Sequence, residues 1–230
     1  MKASAEILED LKKSYDSKAK ERAGKDIQWW KKKEREQFLS KFKKGRKRRM
    51  LELGCGTGQD AIYFKSKGFG VVCTDLSPKN VEICIEKGLD AQEMSFFDLD
   101  FQPSSFEAIY AMNSLLHVPH ESLGQVLDSI NNLLAPSGIF YMGVYGGQNK
   151  EGPIETDDYE PKRFFASYTD SQIIQIVSEF FDLLYFHRVE LERTRHVHFQ
   201  SMILRSKKGM AEGADSGPTA FQLKANPDQF

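Results

Sequence analysis

The chain has 230 residues, of which 40% are hydrophobic and 28% are charged, and its formal net charge is −1. This length and composition allow one α/β domain with its own core, and no apolar run approaches the roughly 20 residues that span a bilayer. The three cysteines, Cys55, Cys73 and Cys84, have neither the paired spacing of a zinc site nor the even number of a disulfide framework. We therefore expect a soluble, cytoplasmic protein with no metal site and no membrane partner.

Residues 1–45 predict an N-terminal helical cap. Segments 5–22 and 27–44 have the pattern of charged amphipathic helices, and we expect Trp29 and Trp30 in the second to be buried. Residues 1–50 contain 18 Lys or Arg against 8 Asp or Glu, whereas the remaining residues contain 14 against 25. The basic segment 41–49 fits either a solvated helix end or a surface that binds a phosphate backbone. The sequence leaves both interpretations open.

Residues 46–208 alternate strand and helix periods, which is typical of a βαβ domain. The predicted strands are 49–53, 69–74, 106–112, 139–145, 182–192 and 195–206. The last two are joined by a short polar turn at 193–194 and are therefore expected to be antiparallel. The predicted helices are one that begins after Ser77-Pro78, 120–134, and 169–181 with a capping box of Thr169 and Gln172.

Two segments have the composition of irregular structure. Residues 146–167 are rich in Gly, Asp, Glu and Pro and are longer than most connections inside a domain. We expect this stretch to form a lid or a substrate loop. Residues 209–230 are rich in Gly, Ala, Pro and Asn, and this composition predicts a disordered tail.

The segment 51–58, with the sequence LELGCGTG, places three alternate glycines between an apolar run and a helical pattern. Glycine permits positive φ angles and lacks the Cβ that would hold a ligand away from the backbone. The following helix directs free amide groups to the same place. Gln59 stands where a dinucleotide fingerprint needs its third glycine, and no lysine lies where a Walker loop needs one. The segment therefore predicts a nucleotide-cofactor loop, and these two departures weaken the case for a nicotinamide dinucleotide and for a nucleoside triphosphate.

Further motifs follow in order along the chain. Asp75 ends a strand, Asp98 closes the sequence SFFD, and the sequence NSLLHVP runs from Asn113 to Pro119. Together with Glu52 before the glycines, these motifs resemble those of class I S-adenosylmethionine-dependent methyltransferases over about residues 15–205. The resemblance implies an α/β fold, a three-layer Rossmann-like sandwich with a mostly parallel seven-stranded sheet and an antiparallel C-terminal strand.

The resemblance also implies a binding site for S-adenosyl-L-methionine. Asp75 matches the family's residue that accepts hydrogen bonds from the ribose hydroxyls, and a carboxylate suits a diol because it has two acceptor oxygens. Asp98 matches the residue beside the adenine amino group, and Phe97 or Leu76 is expected on the purine face. The full set of predicted cofactor-binding residues is Glu52, Gly54, Cys55, Gly56, Gly58, Asp75, Leu76, Phe97, Asp98, Asn113 and Ser114.

Predicted acceptor-side residues are Tyr15, Tyr145 and Arg163, because the N-terminal helices and the loop after the fifth strand commonly cover the pocket in this family. His117 is the candidate catalytic residue. An imidazole in its place either removes a proton from the methyl acceptor or orients the backbone. The late-strand histidines, among them His196 and His198, are expected in a surface or substrate-wall role.

We therefore expect an enzyme that moves a methyl group to an O, N or S nucleophile of a small molecule by in-line displacement. Three alternatives stay open. The first is an RNA or protein methyltransferase that uses the basic N-terminal half. The second is a catalytically silent protein that binds S-adenosylmethionine, and the third is a nicotinamide enzyme.

Overall fold

A computed structural model describes residues 2–42, 48–191 and 197–209. The chain begins with two helices, α1 (Lys2–Ala23) and α2 (Trp29–Leu39), before the first strand. The alternating part consists of β1 (Arg48–Leu53), α3 (Gln59–Ser66), β2 (Phe69–Asp75), α4 (Pro78–Glu86), β3 (Asp90–Glu93), β4 (Phe106–Met112), α5 (Leu123–Leu133) and β5 (Leu134–Gly146). A hairpin of β6 (Lys150–Pro153) and β7 (Phe164–Ser167) precedes α6 (Asp170–Phe180), β8 (Phe181–Glu190) and β9 (His198–Ser206).

Seven strands form one sheet in the order β3-β2-β1-β4-β5-β9-β8. Strands β1 to β5 pair in parallel, and β9 runs antiparallel to both β5 and β8. The order reverses at β1, because the chain moves outward through β2 and β3 and then returns past β1 to β4. Ligands bind at such a reversal in open parallel sheets, outside the carboxyl ends of the strands. The predicted sheet, with its antiparallel C-terminal strand, is confirmed.

Helices cover both faces of the sheet, and alternate residues of the central strands supply the two cores. Leu51 and Leu53 pack on the face that α5 and α6 cover. Met50 packs on the opposite face, together with Phe38 of α2 and Phe64 of α3. This three-layer arrangement matches the predicted Rossmann-like sandwich. Because Phe38 is fully buried in the core of the sheet, α2 is part of the layered structure, and the division into a cap at 1–45 and a domain at 46–208 stays a prediction.

The predicted helix starts are confirmed by their caps. The Ser77 hydroxyl accepts from the Asn80 amide with Pro78 in the first turn, and Thr169 and Gln172 form the reciprocal capping box of α6. Other boundaries differ. The predicted helix 120–134 begins only at Leu123, because residues 120–122 form a separate 3₁₀ turn. Of the two tryptophans expected to be buried, Trp30 is buried but Trp29 is 65% exposed.

Three strands, β3, β6 and β7, have no counterpart in the predicted list of strands. The exposed edge strand β3 has the polar sequence DAQE, which gives no hydrophobic period. Within the predicted loop 146–167, β6 and β7 pair as an antiparallel hairpin, from Lys150 opposite Ser167 to Pro153 opposite Phe164. The turn at 193–194, His196, residues 43–47 of the basic segment and residues 210–230 of the tail lie outside the described residues. None of the helices in the described ranges is both long and apolar enough to cross a membrane.

Candidate active site

A cavity of about 360 Å³ opens at the carboxyl ends of β1, β2 and β4. Its floor consists of lining residues within 52–60, 74–80, 94–96 and 112–117, and α1 with residues 25–31 supplies the opposite wall. We call α1 together with residues 154–165 the cover, because the two segments contact each other above the floor. The volume lies within the range of small-ligand sites, and the position is the one expected for a parallel sheet.

The glycine loop of the floor needs positive φ angles and close packing. Gly54, Gly56 and Gly58 have φ values of 68°, 53° and 78°. A Cβ on Gly54 would lie 2.5 Å from the Ser114 Cβ, so glycine is required there for the loop to pack against the segment after β4. A Cβ on Gly56 would meet nothing nearer than the Arg22 Nη2 at 3.9 Å. Gly56 therefore leaves bare backbone on the cavity side.

Asp75 connects the glycine loop to the end of β2. Its Oδ2 accepts from the Gly56 amide at 2.7 Å, and its Oδ1 accepts from the Ser77 amide at 2.9 Å and from the Asn80 Nδ2 at 3.2 Å. Burial raises the pKa of Asp75, and these three donors oppose the shift because they stabilise the carboxylate. Oδ1 already has two donors, whereas Oδ2 has one, so Oδ2 keeps the greater capacity to accept from a ligand.

Glu52 and Arg22 bring unsatisfied polar atoms to the same cavity. Glu52 is 4% exposed, and its Oε2 has no hydrogen-bond partner among the described residues. Burial raises the pKa of Glu52 well above its ordinary value, and the nearby Asp60 and Asp75 carboxylates add to the shift. From the cover, Arg22 donates to the Tyr159 Oη at 3.0 Å, while its buried Nε has no partner within the described ranges. Unpaired buried groups of this kind are costly unless a ligand or water satisfies them.

A hydrogen-bonded chain joins the cover to the floor. The His117 Nδ1 lies 2.6 Å from the Phe164 carbonyl oxygen, and its Nε2 lies 2.6 Å from the Tyr15 Oη. Because a carbonyl oxygen only accepts, Nδ1 carries the proton in the neutral ring, Nε2 accepts, and the Tyr15 hydroxyl donates to it. Burial lowers the pKa of His117 to about 3, so the ring is neutral near pH 7. Both residues line the cavity.

Arg163 fixes the outer end of this chain. Its guanidinium contacts both Asp157 carboxylate oxygens, at 2.8 and 2.7 Å, and its Nη1 donates to the Tyr15 Oη at 3.2 Å. It also lies 3.5 Å from the centroid of the Tyr159 ring. A bidentate, stacked arginine is held more rigidly than a single ion pair. Arg163 therefore orients Tyr15 from behind.

Nine of the predicted cofactor-binding and catalytic residues line the cavity: Glu52, Gly54, Cys55, Gly56, Asp75, Leu76, Asn113, Ser114 and His117. Gly58, Phe97 and Asp98 lie outside the lining. Gly58 packs downward, where a Cβ would lie 3.0 Å from the Cys84 Sγ. The chain turns after Ser95, so Phe96 lines the cavity in place of Phe97, which packs against the core. Asp98 is exposed in this turn.

Of the predicted acceptor-side residues, only Tyr15 lines the cavity. Arg163 contacts Tyr15 from outside the lining. The half-buried Tyr145 packs edge to face on Phe199, and its side chain hydrogen-bonds Asn113, which lines the cavity. His198 lies outside the lining; it is 5% exposed, and its Nε2 lies 2.7 Å from the Asp170 Oδ1.

Sequence reasoning missed residues that line the cavity on both sides, in the floor and in α1 with residues 25–31. They are Leu11, Arg22, Lys25, Asp26, Ile27, Gln28, Lys31, Leu53, Thr57, Gln59, Asp60, Thr74, Asn80, Met94, Phe96 and Met112. The sequence did contain one pattern that could have identified two of them. Leu11, Tyr15 and Arg22 have the i, i+4 and i+11 spacing of one helix face, so the face that carries Tyr15 also carries Arg22.

Comparison with known proteins defines the class. Residues 50–138, which include the glycine loop, Asp75 and His117, match the family model described as a methyltransferase domain. The chain therefore contains a methyltransferase domain of the Rossmann-like class I fold, a class that uses S-adenosylmethionine. The predicted family and fold are confirmed.

Individual relatives are distant. The Burkholderia thailandensis 1,6-didemethyltoxoflavin-N1-methyltransferase, crystallised with 1,6-didemethyltoxoflavin and S-adenosylhomocysteine, has a TM-score of 0.69 at 19% identity, with 89% of each chain covered. The glycine/sarcosine/dimethylglycine N-methyltransferase of Actinopolyspora halophila is 32% identical over 39% of this chain and 17% of its own length. The ubiquinone biosynthesis O-methyltransferase of Xylella fastidiosa (strain 9a5c) is 30% identical over 42% of this chain and 41% of its own. The chain thus matches less than half of the length of these two curated relatives.

The cavity fits the cofactor of this class. S-adenosylmethionine has a ribose diol, an amino group and a carboxylate. The Asp75 Oδ2 has acceptor capacity for a hydroxyl, and the orphaned Glu52 Oε2 suits an ammonium group. The bare Gly56 backbone and the Arg22 guanidinium suit a carboxylate.

Proposed function

We propose that this protein is a methyltransferase that transfers the methyl group of S-adenosylmethionine to an O–H or N–H nucleophile of a small molecule. The observation that carries the proposal is the cavity itself. One wall has the glycine loop and Asp75 for a cofactor, and the other has Tyr15 bonded to His117. Both halves of a group-transfer site therefore face one cavity.

Chain residues hold the cofactor in this proposal. Asp75 binds the ribose, Glu52 binds the amino group, and the Gly56 backbone with Arg22 binds the carboxylate. When bound, S-adenosylmethionine supplies a methyl carbon on a positively charged sulfur, open to attack from the side opposite that sulfur. Because the developing product loses this charge, the site needs alignment and exclusion of water more than a strong anion stabiliser.

The polarity of the Tyr15–His117 chain supports an acceptor that carries a proton. The Tyr15 hydroxyl donates a hydrogen bond to the His117 Nε2 and accepts one from Arg163. One lone pair on Oη is left. That lone pair accepts a hydrogen bond from an N–H or O–H group of the methyl acceptor and thereby orients the nucleophile. A carboxylate has no proton to offer to it. Thiol acceptors fit less well, because S–H is a weak donor.

His117 acts as a positioning group in this proposal. Its pKa of about 3 makes it a poor base near pH 7, and its Nε2 is already engaged by Tyr15. A neutral amine needs no base before it attacks and loses its proton afterwards. The names of the relatives, which refer to glycine, toxoflavin and ubiquinone chemistry, support a small acceptor.

The proposal is tested by binding and then by turnover. We expect S-adenosylhomocysteine to bind in calorimetry and to raise the melting temperature, whereas NADH does neither. Methyl-labelled S-adenosylmethionine is then incubated with panels of amines, phenols, carboxylates, thiols and RNA oligonucleotides. Label in the amine or phenol panel supports the proposal. Label only in carboxylates or RNA contradicts the acceptor class, binding without label in any panel supports a silent binding protein, and binding of NADH alone overturns the proposed function.

A further inference from the structure

Three cysteines from separate elements meet beneath the glycine loop. Cys55 follows β1, Cys73 lies in β2 and Cys84 lies in α4, and all three are buried free thiols. The Sγ atoms of Cys55 and Cys84 are 3.8 Å apart. A cluster of thiols at this position is not needed for any step of methyl transfer.

Both thiols also contact the backbone that shapes the cofactor site. The Cys55 and Cys84 Sγ atoms donate to the Gly56 carbonyl oxygen, at 3.6 and 3.3 Å. Gly56 is the residue whose amide binds Asp75. The space beneath the loop is full, because a Cβ on Gly58 would lie only 3.0 Å from the Cys84 Sγ. A change at these sulfurs therefore moves the loop.

The two thiols are arranged for a reaction with each other. A disulfide has an S–S distance of about 2.0 Å, so the sulfurs need to approach by less than 2 Å. Cys55 lines the cavity, which gives a small oxidant a path to the pair. The hydrogen bond between the two thiols lowers the pKa of Cys84, and the hydrogen bonds with Cys73 and Cys84 raise the pKa of Cys55. The two thiols are thus coupled, and either sulfur can attack as the thiolate while the other completes the disulfide.

We propose that Cys55 and Cys84 form a modification site at which a hydroperoxide converts the thiol pair into a disulfide and so disables the cofactor loop. The thiolate of one cysteine of the pair attacks a peroxide oxygen, the O–O bond breaks, and hydroxide leaves. The thiol of the other cysteine then attacks the sulfenic sulfur, the S–O bond breaks, and water leaves with the released proton. Two thiols and one hydrogen peroxide thus give one disulfide and two waters.

The disulfide removes both thiol donors from the Gly56 carbonyl and pulls the loop toward α4. The ligand wall at Gly56 is thereby displaced, and the bare backbone no longer faces the cavity. A ligand already bound over Gly56 blocks the path of the oxidant. Reduction by a thiol restores the pair. The proposal rests on the proposed function only for the identity of the cofactor.

The test treats the full chain with hydrogen peroxide, with and without S-adenosylhomocysteine, followed by peptide mapping, thiol counting and calorimetry. We expect a Cys55–Cys84 disulfide, the loss of two of the three free thiols, and an affinity for S-adenosylhomocysteine at least about tenfold weaker. Dithiothreitol restores the affinity, and bound ligand prevents the oxidation. A map without a Cys55–Cys84 disulfide overturns the proposal.

Cys84→Ser is the decisive variant, because serine still donates to the Gly56 carbonyl but forms no disulfide. We expect it to bind S-adenosylhomocysteine before and after peroxide with the same affinity, whereas the control Cys73→Ala responds like the parent. Cys55, Met94 and Met112 also line the cavity. An equal loss of affinity in Cys84→Ser would assign the effect to oxidation of one of these side chains alone and overturn the proposal. A disulfide in a parent protein that never binds S-adenosylhomocysteine supports the thiol pair and contradicts the proposed function instead.

Discussion

The floor and the cover of the cavity are built in different ways. In the floor, Asp75 binds amides of the adjacent glycine loop and of its own helix start, so its partners lie within 19 positions in the chain. In the cover, Tyr15 contacts His117 and Arg163 across 102 and 148 positions. A site made from local backbone is specified by short motifs, whereas a site made from distant side chains exists only after folding.

Replacing Gly54 with alanine should have the largest effect, because the new Cβ would lie 2.5 Å from the Ser114 Cβ at a φ of +68°. We expect a loss of about 3 kcal/mol in the free energy of unfolding, from overpacking and backbone strain together. Gly88→Ala is the matched control, since Gly88 also has a positive φ but no atom within 4 Å of its added Cβ. Its cost should be about 1 kcal/mol. Equal losses of unfolding free energy in urea titrations would show that backbone strain, and not the contact with Ser114, determines the cost at Gly54.

Asp75→Ala should rank second, because it removes both the ligand acceptor and the carboxylate that orders the glycine loop. We expect the affinity for S-adenosylhomocysteine to fall by about a hundredfold, or about 2.7 kcal/mol. The control is Asp98→Ala, at an exposed residue outside the cavity lining, and its affinity should stay within about threefold. Calorimetry distinguishes the two, and a large loss in Asp98→Ala would restore the adenine role that the motif implied.

Tyr15→Phe tests the cover. It deletes the hydroxyl between Arg163 and His117 and leaves the buried His117 Nε2 without its donor. We expect a loss of about 1.5 kcal/mol in the free energy of unfolding. In contrast, Tyr168→Phe should be neutral, because the Tyr168 hydroxyl is buried without a described partner. Chemical denaturation of both variants measures the free energy of unfolding. Equal losses would mean that the hydrogen bonds of Tyr15 with His117 and Arg163 contribute nothing to stability.

The smallest effect concerns pH. The Glu34 carboxylate, 2.7 Å from the His187 Nδ1, raises the pKa of His187, whose side chain is 50% exposed. Stability from a raised histidine pKa is fully present below the unfolded value of about 6.5 and is lost as the pH rises through the folded value. Relative to His187→Gln, the parent should therefore lose less than about 1 kcal/mol of stability between about pH 6 and pH 9. A gain over that range would contradict the assignment.

Sequence patterns predicted the floor well and the cover poorly, for physical reasons. Gly54 and Asp75 were readable because backbone conformation and strand ends leave local marks. Helical spacing identified the helix that carries Tyr15, but not its contact with His117, because tertiary packing alone determines that distance. The exposed strand β3 forms through pairing with β2 and has no hydrophobic period. The hairpin β6–β7 combines pairing with the packing of Phe164, Phe165 and Ala166 on the core, a contact that only the folded chain brings about.

The prediction placed Phe97 on the purine face, but the neighbouring residue Phe96 is the one that lines the cavity. The motif located the right turn, but the direction of each side chain depends on the backbone after Ser95, where the Phe97 amide bonds the Ser95 hydroxyl. Arg163 shows a different limit. The sequence indicated an acceptor-side arginine, whereas the fold places two carboxylate oxygens of Asp157 against it and commits it to Tyr15.

The hydrogen bonds that hold α1 in place have a consequence for the rate at which the cofactor is exchanged. The helix bonds Ser77 through Asp16, Glu93 through Lys12, Pro161 through Ser14 and Tyr159 through Arg22. Because α1 contributes to the wall opposite the floor, we expect these hydrogen bonds to open when the cofactor is exchanged. We therefore expect the residence time of the spent cofactor, rather than bond formation, to limit how often the site is used.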